Sequence, residues 1–373
     1  MTAPYWLDEP APPLASQRVE GAPDVAVVGA GITGCACALA LAEAGLTVRL
    51  HDARGIAGGA SGRNGGFALR GTAAPYPVAV ESMGREQAAE LWRLTERALA
   101  ELGGLAGDAL RPTGSLRLAA DEEERAELRL EYETLRADGF AAEWLDELEP
   151  PLSDFEGALF HPPDGALQPA RLVRRLAAAA AEAGVEIREH SRVGSADDLD
   201  AGQIVVATDG YPSGLLGPLE GLIIPTRGQM IATEPVAERL FELPHYGRHG
   251  LDYWQQLPDG RIAAGGFRDA DFTAEFTAVE ETTGTIQAAL EAFVERLVGR
   301  PLEVTHRWAG IFGLVPDLLP VVGRVPGDER IWVAAGYSGH GNVLGFICGG
   351  LVADAILGTP APELASFDPA RLL

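Results

Sequence analysis

The chain contains no lysine: all 29 of its basic residues are arginine, set against 54 acidic ones, so the net charge is −25 and the pI lies near 4.6. A surface of that sign repels phosphate backbones and anionic membranes, which argues against nucleic acid as a partner, and it attracts cations at long range. Cysteine is almost as scarce. Cys35 and Cys37 lie two apart in one helical stretch and so diverge in direction, and Cys348 is far along the chain, so neither a disulfide framework nor a metal motif is built. Long apolar runs are missing too. The best of them, Val343 to Leu357, is glycine-rich, interrupted by Asp354 and shorter than the ~20 residues that span a bilayer, which makes it a buried helix. The opening Met1-Thr-Ala-Pro-Tyr-Trp-Leu-Asp-Glu-Pro10 lacks the basic and apolar parts of a secretory signal. The expectation is a cytoplasmic protein with no membrane insertion, no resident metal, and no internal repeats.

What the chain does have is glycine at telling positions. An apolar run from Asp24 enters Gly29-Ala30-Gly31-Ile32-Thr33-Gly34, an alanine-rich helix follows, and a second strand, Thr47-Val-Arg-Leu-His-Asp52, ends in a carboxylate roughly 20 residues on. In such a turn Gly29 permits the tight bend, and Gly31 lets backbone approach a pyrophosphate at the helix N-terminus. Gly34 lets helix press on strand, and Asp52 can accept hydrogen bonds from ribose hydroxyls. Glycine loop, helix and distal acid together predict a dinucleotide site. A length of 373 residues with 47% apolar content predicts two lobes around well-filled cores.

A second loop, Gly55-Ile-Ala-Gly-Gly59-Ala60-Ser61-Gly-Arg63-Asn64-Gly65-Gly66-Phe67, is too rich in small residues to be packing structure. Its backbone N–H groups can converge on an anion, with Ser61, Arg63 and Asn64 adding side-chain donors. Together the two loops resemble those of the FAD-dependent amine and amino-acid oxidase family, the group of D-amino-acid, glycine and monomeric sarcosine oxidases. Within it the likeness is nearest to the gamma-glutamylputrescine oxidases, whose relatives also tend to open with a Tyr-Trp pair like Tyr5-Trp6. The resemblance extends along the chain, through Asp164-Gly-Ala-Leu-Gln-Pro-Ala-Arg-Leu-Val173, Gln203-Ile-Val-Val-Ala207-Thr208-Asp-Gly-Tyr211 and Pro225-Thr-Arg-Gly-Gln-Met230. It ends at Ile331-Trp-Val-Ala-Ala-Gly-Tyr-Ser-Gly339-His340-Gly341-Asn342-Val-Leu-Gly-Phe346.

The fold implied is α/β and α+β: a discontinuous Rossmann-like FAD-binding domain with an inserted substrate domain built on an antiparallel sheet. Amphipathic helices are expected over Glu81 to Leu102 and Asp121 to Asp138, and an alanine-rich one over Ala170 to Ala183. Strands are expected over Val185 to Glu189, Gln203 to Thr208, Leu222 to Thr233, Leu251 to Leu257, Arg261 to Phe267 and Leu302 to Trp308, with a helix near Val279 to Val298. Residues 20–80, 150–220 and 310–373 would then form the FAD-binding domain, and 81–149 and 221–309 the substrate-binding domain. The short span Gly194 to Gly202 trims a hairpin that relatives usually carry.

The resemblance also implies site residues. FAD would meet Gly29 to Gly34, Asp52, Ala53, Arg54, Gly59 to Ser61, Arg63 to Gly66, Val193, Ala207, Thr208 and Gly339 to Asn342. Tyr253 and Trp254 are candidates to wall the substrate, Arg70 to hold a carboxylate or phosphate, and His340 to meet charge developing at the flavin N1 and C2 carbonyl. Sarcosine oxidases attach FAD to a cysteine in the segment corresponding to Arg307-Trp-Ala-Gly-Ile-Phe-Gly313; none occurs here, so FAD is expected to be noncovalent. Glycine and D-amino-acid oxidases offer the substrate carboxylate an arginine where this chain has Phe312. The expected substrate is therefore a small-molecule amine: a secondary amine, a polyamine or a gamma-glutamyl polyamine, oxidised at its CH–NH bond by hydride transfer to flavin N5. The alternatives are an amino-acid dehydrogenase feeding a quinone or carrier protein, and a flavin-binding subunit of a larger complex. Finally, sarcosine oxidases use a lysine to speed reaction with oxygen. With none here, a protonated His340, Arg70 or Arg268 would have to substitute, or an acceptor other than oxygen would serve.

Overall fold

A computed structural model describes residues 4–11, 13–211 and 214–373. A six-stranded sheet runs in the order Val321–Arg324, Ile331–Ala335, Gln203–Val206, Val25–Val28, Val48–His51, Glu186–Arg188, and it is parallel except for its first pair. Val25–Val28 is buried on both faces, which is why it reads as an unbroken apolar run rather than an alternating one. Three helices cover one face: Ile32–Glu43, Pro169–Glu182 and Gly341–Leu357. The first and last cross at glycine. A Cβ at Gly349 would stand 2.4 Å from the Thr33 carbonyl oxygen, so only a bare backbone permits this approach. Among the described residues no single helix is long and apolar enough to cross a membrane.

The second sheet has eight strands, in the order Val304–Leu314, Ile224–Thr233, Ile262–Gly265, Asp252–Gln256, His245–Gly247, Ser115–Leu118, Ala158–His161, Glu143–Leu145. All its pairings are antiparallel except that of His245–Gly247 with Ser115–Leu118. Helix Gly284–Val298 packs on one face through Ile286, Leu290 and Phe293. Three short strands, Phe67–Ala68, Gly165–Leu167 and Leu110–Arg111, form a small sheet at the end of the second glycine loop.

The mixed architecture matches the expected fold class, with differences in detail. The helix expected over Glu81 to Leu102 is two, Tyr76–Met83 and Arg85–Ala106, because Gly84 at φ 86° turns the chain between them. The helix expected from Val279 begins at Gly284. Ser115–Leu118, Glu143–Leu145 and Ala158–His161 were not anticipated; strands of three or four residues are too short to display a period. Ala158–His161 joins the larger sheet although it lies beyond position 150, and Val304–Leu314 runs unbroken through position 310.

Candidate cofactor and substrate site

The first glycine turn is built from close contacts that a side chain would prevent. Gly29 has φ 112°, and a Cβ there would lie 2.4 Å from the Ala207 carbonyl; one at Gly34 would lie 1.8 Å from the Gly29 carbonyl. Gly31 caps the first helix with no side-chain hydrogen bond of its own, and the Ile32 N–H donates to Ser61 Oγ at 3.0 Å. Ser61 thus brings the second loop onto the helix N-terminus, where backbone dipoles favour an anion. The Asp52 carboxylate accepts from Ala30 N–H at 2.8 Å and from Arg54 N–H at 2.7 Å. Burial pushes its carboxyl up from the ordinary range while those two donors pull it down.

The second loop is anchored to distant parts of the chain. Asn64 and Asn342 exchange amide hydrogen bonds at 3.1 Å, and Asn342 also donates to the Phe67 carbonyl at 2.7 Å, which fixes the loop to the N-terminus of the last helix. Trp6 and Trp308 donate their indole N–H to the carbonyls of Asn64 and Arg63. The Arg63 guanidinium donates to the Gly58 and Ala309 carbonyls and lies 3.6 Å from Glu280. Arg54 pairs with the same Glu280 at 2.7 Å and lies over the Tyr211 ring. Ala53 is exposed.

These loops open on a cavity of about 310 Å³. Gly31, Ile32, Thr33, Ala60, Ser61, Arg63, Asn64, Gly65 and Ala207 form one side of it, and Gly339, His340, Gly341 and Asn342 close another. Tyr253 enters from the antiparallel sheet, its ring against Gly65, where a Cβ would come within 2.9 Å. Burial pushes the Tyr253 phenol up to about 12. Gly29, Ala30, Gly34, Asp52, Ala53, Arg54, Gly59, Gly66 and Thr208, also expected to meet FAD, do not line the cavity. Thr208 Oγ1 and His340 Nδ1 are buried and have no hydrogen-bond partner. A helix N-terminus without an N-cap side chain of its own, bare-backbone turns and the orphaned His340 Nδ1 in the cavity wall together fit a bound dinucleotide.

Three expected site residues lie elsewhere. Trp254 follows Tyr253 on the same strand, so the pleat turns it to the opposite face, where it stacks on His245 at 5.2 Å and meets Phe293 at 5.0 Å. Arg70 is buried with its guanidinium on Glu96 at 2.5 Å, the Ala141 carbonyl and His161, and it does not line the cavity. Val193 packs in the apolar cluster beneath the parallel sheet with Val28 and Val206. His340 does line the cavity, but burial, reinforced by the positive charge of Arg117, pushes its imidazole down to about 4, so it is neutral at pH 7, which removes the protonated His340 that was one of the alternatives to a lysine.

Other residues enter the wall beyond the expected FAD and substrate contacts, Arg268 among them having been named only as a possible cation near the flavin. Tyr337 lines it and receives a hydrogen bond from Thr33 Oγ1 at 2.9 Å. Asp209, held at φ 48°, accepts from the backbone N–H groups of Gly313, Gly336 and Tyr337. Tyr246, His249 and Gly250 come from one turn and strand. Arg268 lies with its guanidinium 5.6 Å over the Phe312 ring. Asp209 sits directly after Thr208 in a segment already singled out, and Tyr337 three residues before His340; no local signal marked Tyr246 or His249.

Residues 24–355 match the FAD dependent oxidoreductase family, DAO. The chain is 28% identical over 374 residues to the gamma-glutamylputrescine oxidoreductase of Escherichia coli (strain K12), covering 90% of this chain and 84% of that protein. It is 29% identical over 374 residues to the glycine oxidase of Geobacillus kaustophilus (strain HTA426), covering 89% and 92%. The crystal structure of glycine oxidase from Geobacillus kaustophilus superposes with a TM-score of 0.74 at 25% identity over 94% of this chain and 98% of that one. L-proline dehydrogenase from P. horikoshii shares the fold, with a TM-score of 0.75 at 21% identity, covering 95% and 98%. With the match running through both sheets and the cavity between them, the chain belongs to the FAD dependent oxidoreductase family, DAO, whose members named here include oxidoreductases of amines and amino acids.

Proposed function

We propose that this flavoenzyme binds FAD noncovalently and oxidises the CH–NH bond of an amine, either a secondary amine, a polyamine or a gamma-glutamyl polyamine, to an imine that hydrolyses. The observation that carries the reading is the acid–base content of the cavity wall. Its one carboxylate among the described residues is Asp209, whose oxygens already accept three backbone N–H groups. No carboxylate is left there to remove a proton from carbon; the imidazoles of His249 and His340 are the bases that remain in the wall, and departure of hydrogen as hydride asks for no base at carbon. FAD, when bound, supplies the hydride acceptor. The protein's own part is orientation and exclusion of water: Tyr253, Tyr246 and Phe312 present aromatic surface, and the Gly339–Asn342 turn presents backbone and a neutral imidazole. Gly31, Ser61 and the first helix N-terminus would hold the pyrophosphate and Asp52 the ribose. No cysteine lines the cavity among the described residues, since Cys35, Cys37 and Cys348 are buried in helices, and this supports noncovalent attachment.

Arg268 favours a second reading, amino-acid oxidation. It lines the cavity and, among the described residues, forms no ion pair within 4 Å, and an arginine in that state suits a substrate carboxylate. Anaerobic bleaching of the protein-bound flavin by sarcosine, L-proline, gamma-glutamylputrescine, putrescine, glycine and D-alanine decides between the two. Faster reduction by amines without an α-carboxylate supports the first reading. Preference for small amino acids, abolished in Arg268→Gln, establishes the second, and absence of any bleaching rejects both.

A further inference from the structure

The turn Arg248-His249-Gly250 at the mouth of the cavity carries an unusual backbone. Arg248 at φ 49° and His249 at φ 57° are consecutive left-handed residues, and Gly250 follows at φ 78°. Side chains at two such positions crowd their own backbone, and the conformation persists only where the surroundings impose it. Here a buried carboxylate does so. Glu124 Oε1 accepts the His249 N–H at 2.7 Å, and Oε2 accepts the N–H groups of Arg248 at 3.2 Å and Ala120 at 2.9 Å. Arg248 is tied down in turn by Asp252 and Asp269. The effect is to set the His249 imidazole in the cavity wall, where its Nε2 meets Glu127 Oε2 at 2.8 Å.

A carboxylate accepts and does not donate, so Glu127 keeps the single proton of a neutral imidazole on Nε2. Nδ1 is then left with a free lone pair. We propose that His249, oriented by Glu127, is the base that takes a proton from the substrate ammonium as it enters the cavity. The inference rests on the amine-oxidising reading above. An amine of pKa ~10 is almost wholly protonated at neutral pH, and a protonated nitrogen has no lone pair to support hydride loss from the neighbouring carbon. In the step, the N–H bond of the ammonium breaks, its electron pair stays on nitrogen, and the proton forms a bond to Nδ1. The imidazolium, half exposed at the mouth, returns that proton to water. The charged groups around the imidazole are Glu124 and Glu127 on the helix Glu122–Ala137, and Arg248 with its partners Asp252 and Asp269. Arg268 shares the cavity wall.

The test is the limiting rate of anaerobic flavin reduction at pH 7 and at pH 9.5, using whichever of sarcosine, L-proline and gamma-glutamylputrescine reduces the native holoenzyme fastest. His249→Gln should be about tenfold slower or worse at pH 7, since a positioned base contributes on the order of 10²–10⁴-fold. It should come within about threefold of native at pH 9.5, where solvent itself supplies neutral amine. Glu127→Gln, an exposed change that leaves the fold alone, should show the same pattern in weaker form and carries the test if the histidine variant does not fold. Native-like rates for both variants at pH 7 overturn the assignment, and so does a loss that is equal at both pH values, which would mean that His249 only shapes the cavity. If no amine reduces the native flavin at either pH, the amine-oxidising reading itself fails, and this inference falls with it.

Discussion

Asp52 holds the first glycine turn with one carboxylate, the same one proposed to meet the ribose. Its oxygens accept the N–H groups of Ala30 and Arg54, which are the residues that shape the first glycine turn and the approach to the second. Hydrogen bonds to a charged acceptor contribute ~1.5–3 kcal/mol each. Asp52→Ala should therefore raise the FAD dissociation constant about tenfold or more, leaving apo-protein after dialysis, while Asp52→Asn, which keeps one acceptor oxygen, should lose less. An unchanged constant in the alanine variant would place the ribose contact elsewhere. The position of this acid was legible in the sequence because the strand before it and the turn it serves are contiguous in the chain. Trp254 was not legible in the same way. That Tyr253 and Trp254 face opposite ways follows from the pleat, but which of them meets the cavity depends on which face helix Gly284–Val298 covers, and that helix lies 30 residues further on. Arg70 makes the same point with charge, since Glu96 and His161, which occupy it, come from separate elements.

At the scale of elements, the site depends on how the first and last helices cross. Gly345 and Gly349 face the first helix, with Thr33 Oγ1 at 2.7 Å and the Thr33 carbonyl at 2.4 Å from their hypothetical Cβ atoms. The first contact is with a side chain that can turn; the second is with backbone that cannot. Gly349→Ala should destabilise the protein by about 1–3 kcal/mol, the range of core overpacking. Because the displaced helix carries the N-terminus at Gly31, thermal unfolding should fall and flavin retention should fall with it. An alanine variant with native unfolding temperature and full flavin content would show that the two helices can separate without cost. The long helices and the strands flanking the glycine turns could be read from sequence because their signals are local. Gly84 shows the limit: it interrupts an otherwise helical stretch, and only the left-handed backbone there marks it as a boundary. The three short strands Ser115–Leu118, Glu143–Leu145 and Ala158–His161 are defined by their partners, so nothing within them announces a sheet.

For the molecule as a whole, the absence of lysine bears on the electron acceptor. A fixed positive charge beside reduced flavin assists its reaction with oxygen. Here no ammonium side chain exists, His340 is neutral at pH 7, and Arg70 is committed to Glu96. Arg63 lies in an ion pair with Glu280, which leaves Arg268, among the described residues, as the cation in the cavity wall that forms no ion pair. Turnover with an artificial dye should exceed turnover with oxygen, and Arg268→Gln should slow the oxygen reaction further while His340→Ala leaves it unchanged. Stopped-flow mixing of the reduced enzyme with air-saturated buffer measures this directly; fast reoxidation in native protein and in Arg268→Gln alike would show that no fixed cation is required. Sequence by itself determined the family, the dinucleotide turn, the cofactor and the mixed architecture, because each is written in residues close together, where glycine, helix and acid must follow one another at fixed spacing. Tertiary structure decided which side chains share the cavity. It set Arg268 on Phe312, buried His340 until its charge was lost, turned Trp254 away, and bent His249 into the wall on a carboxylate more than a hundred residues earlier in the chain, at Glu124. Those outcomes turn on burial and on partners from other elements, and neither quantity exists until the two sheets have closed around the cavity.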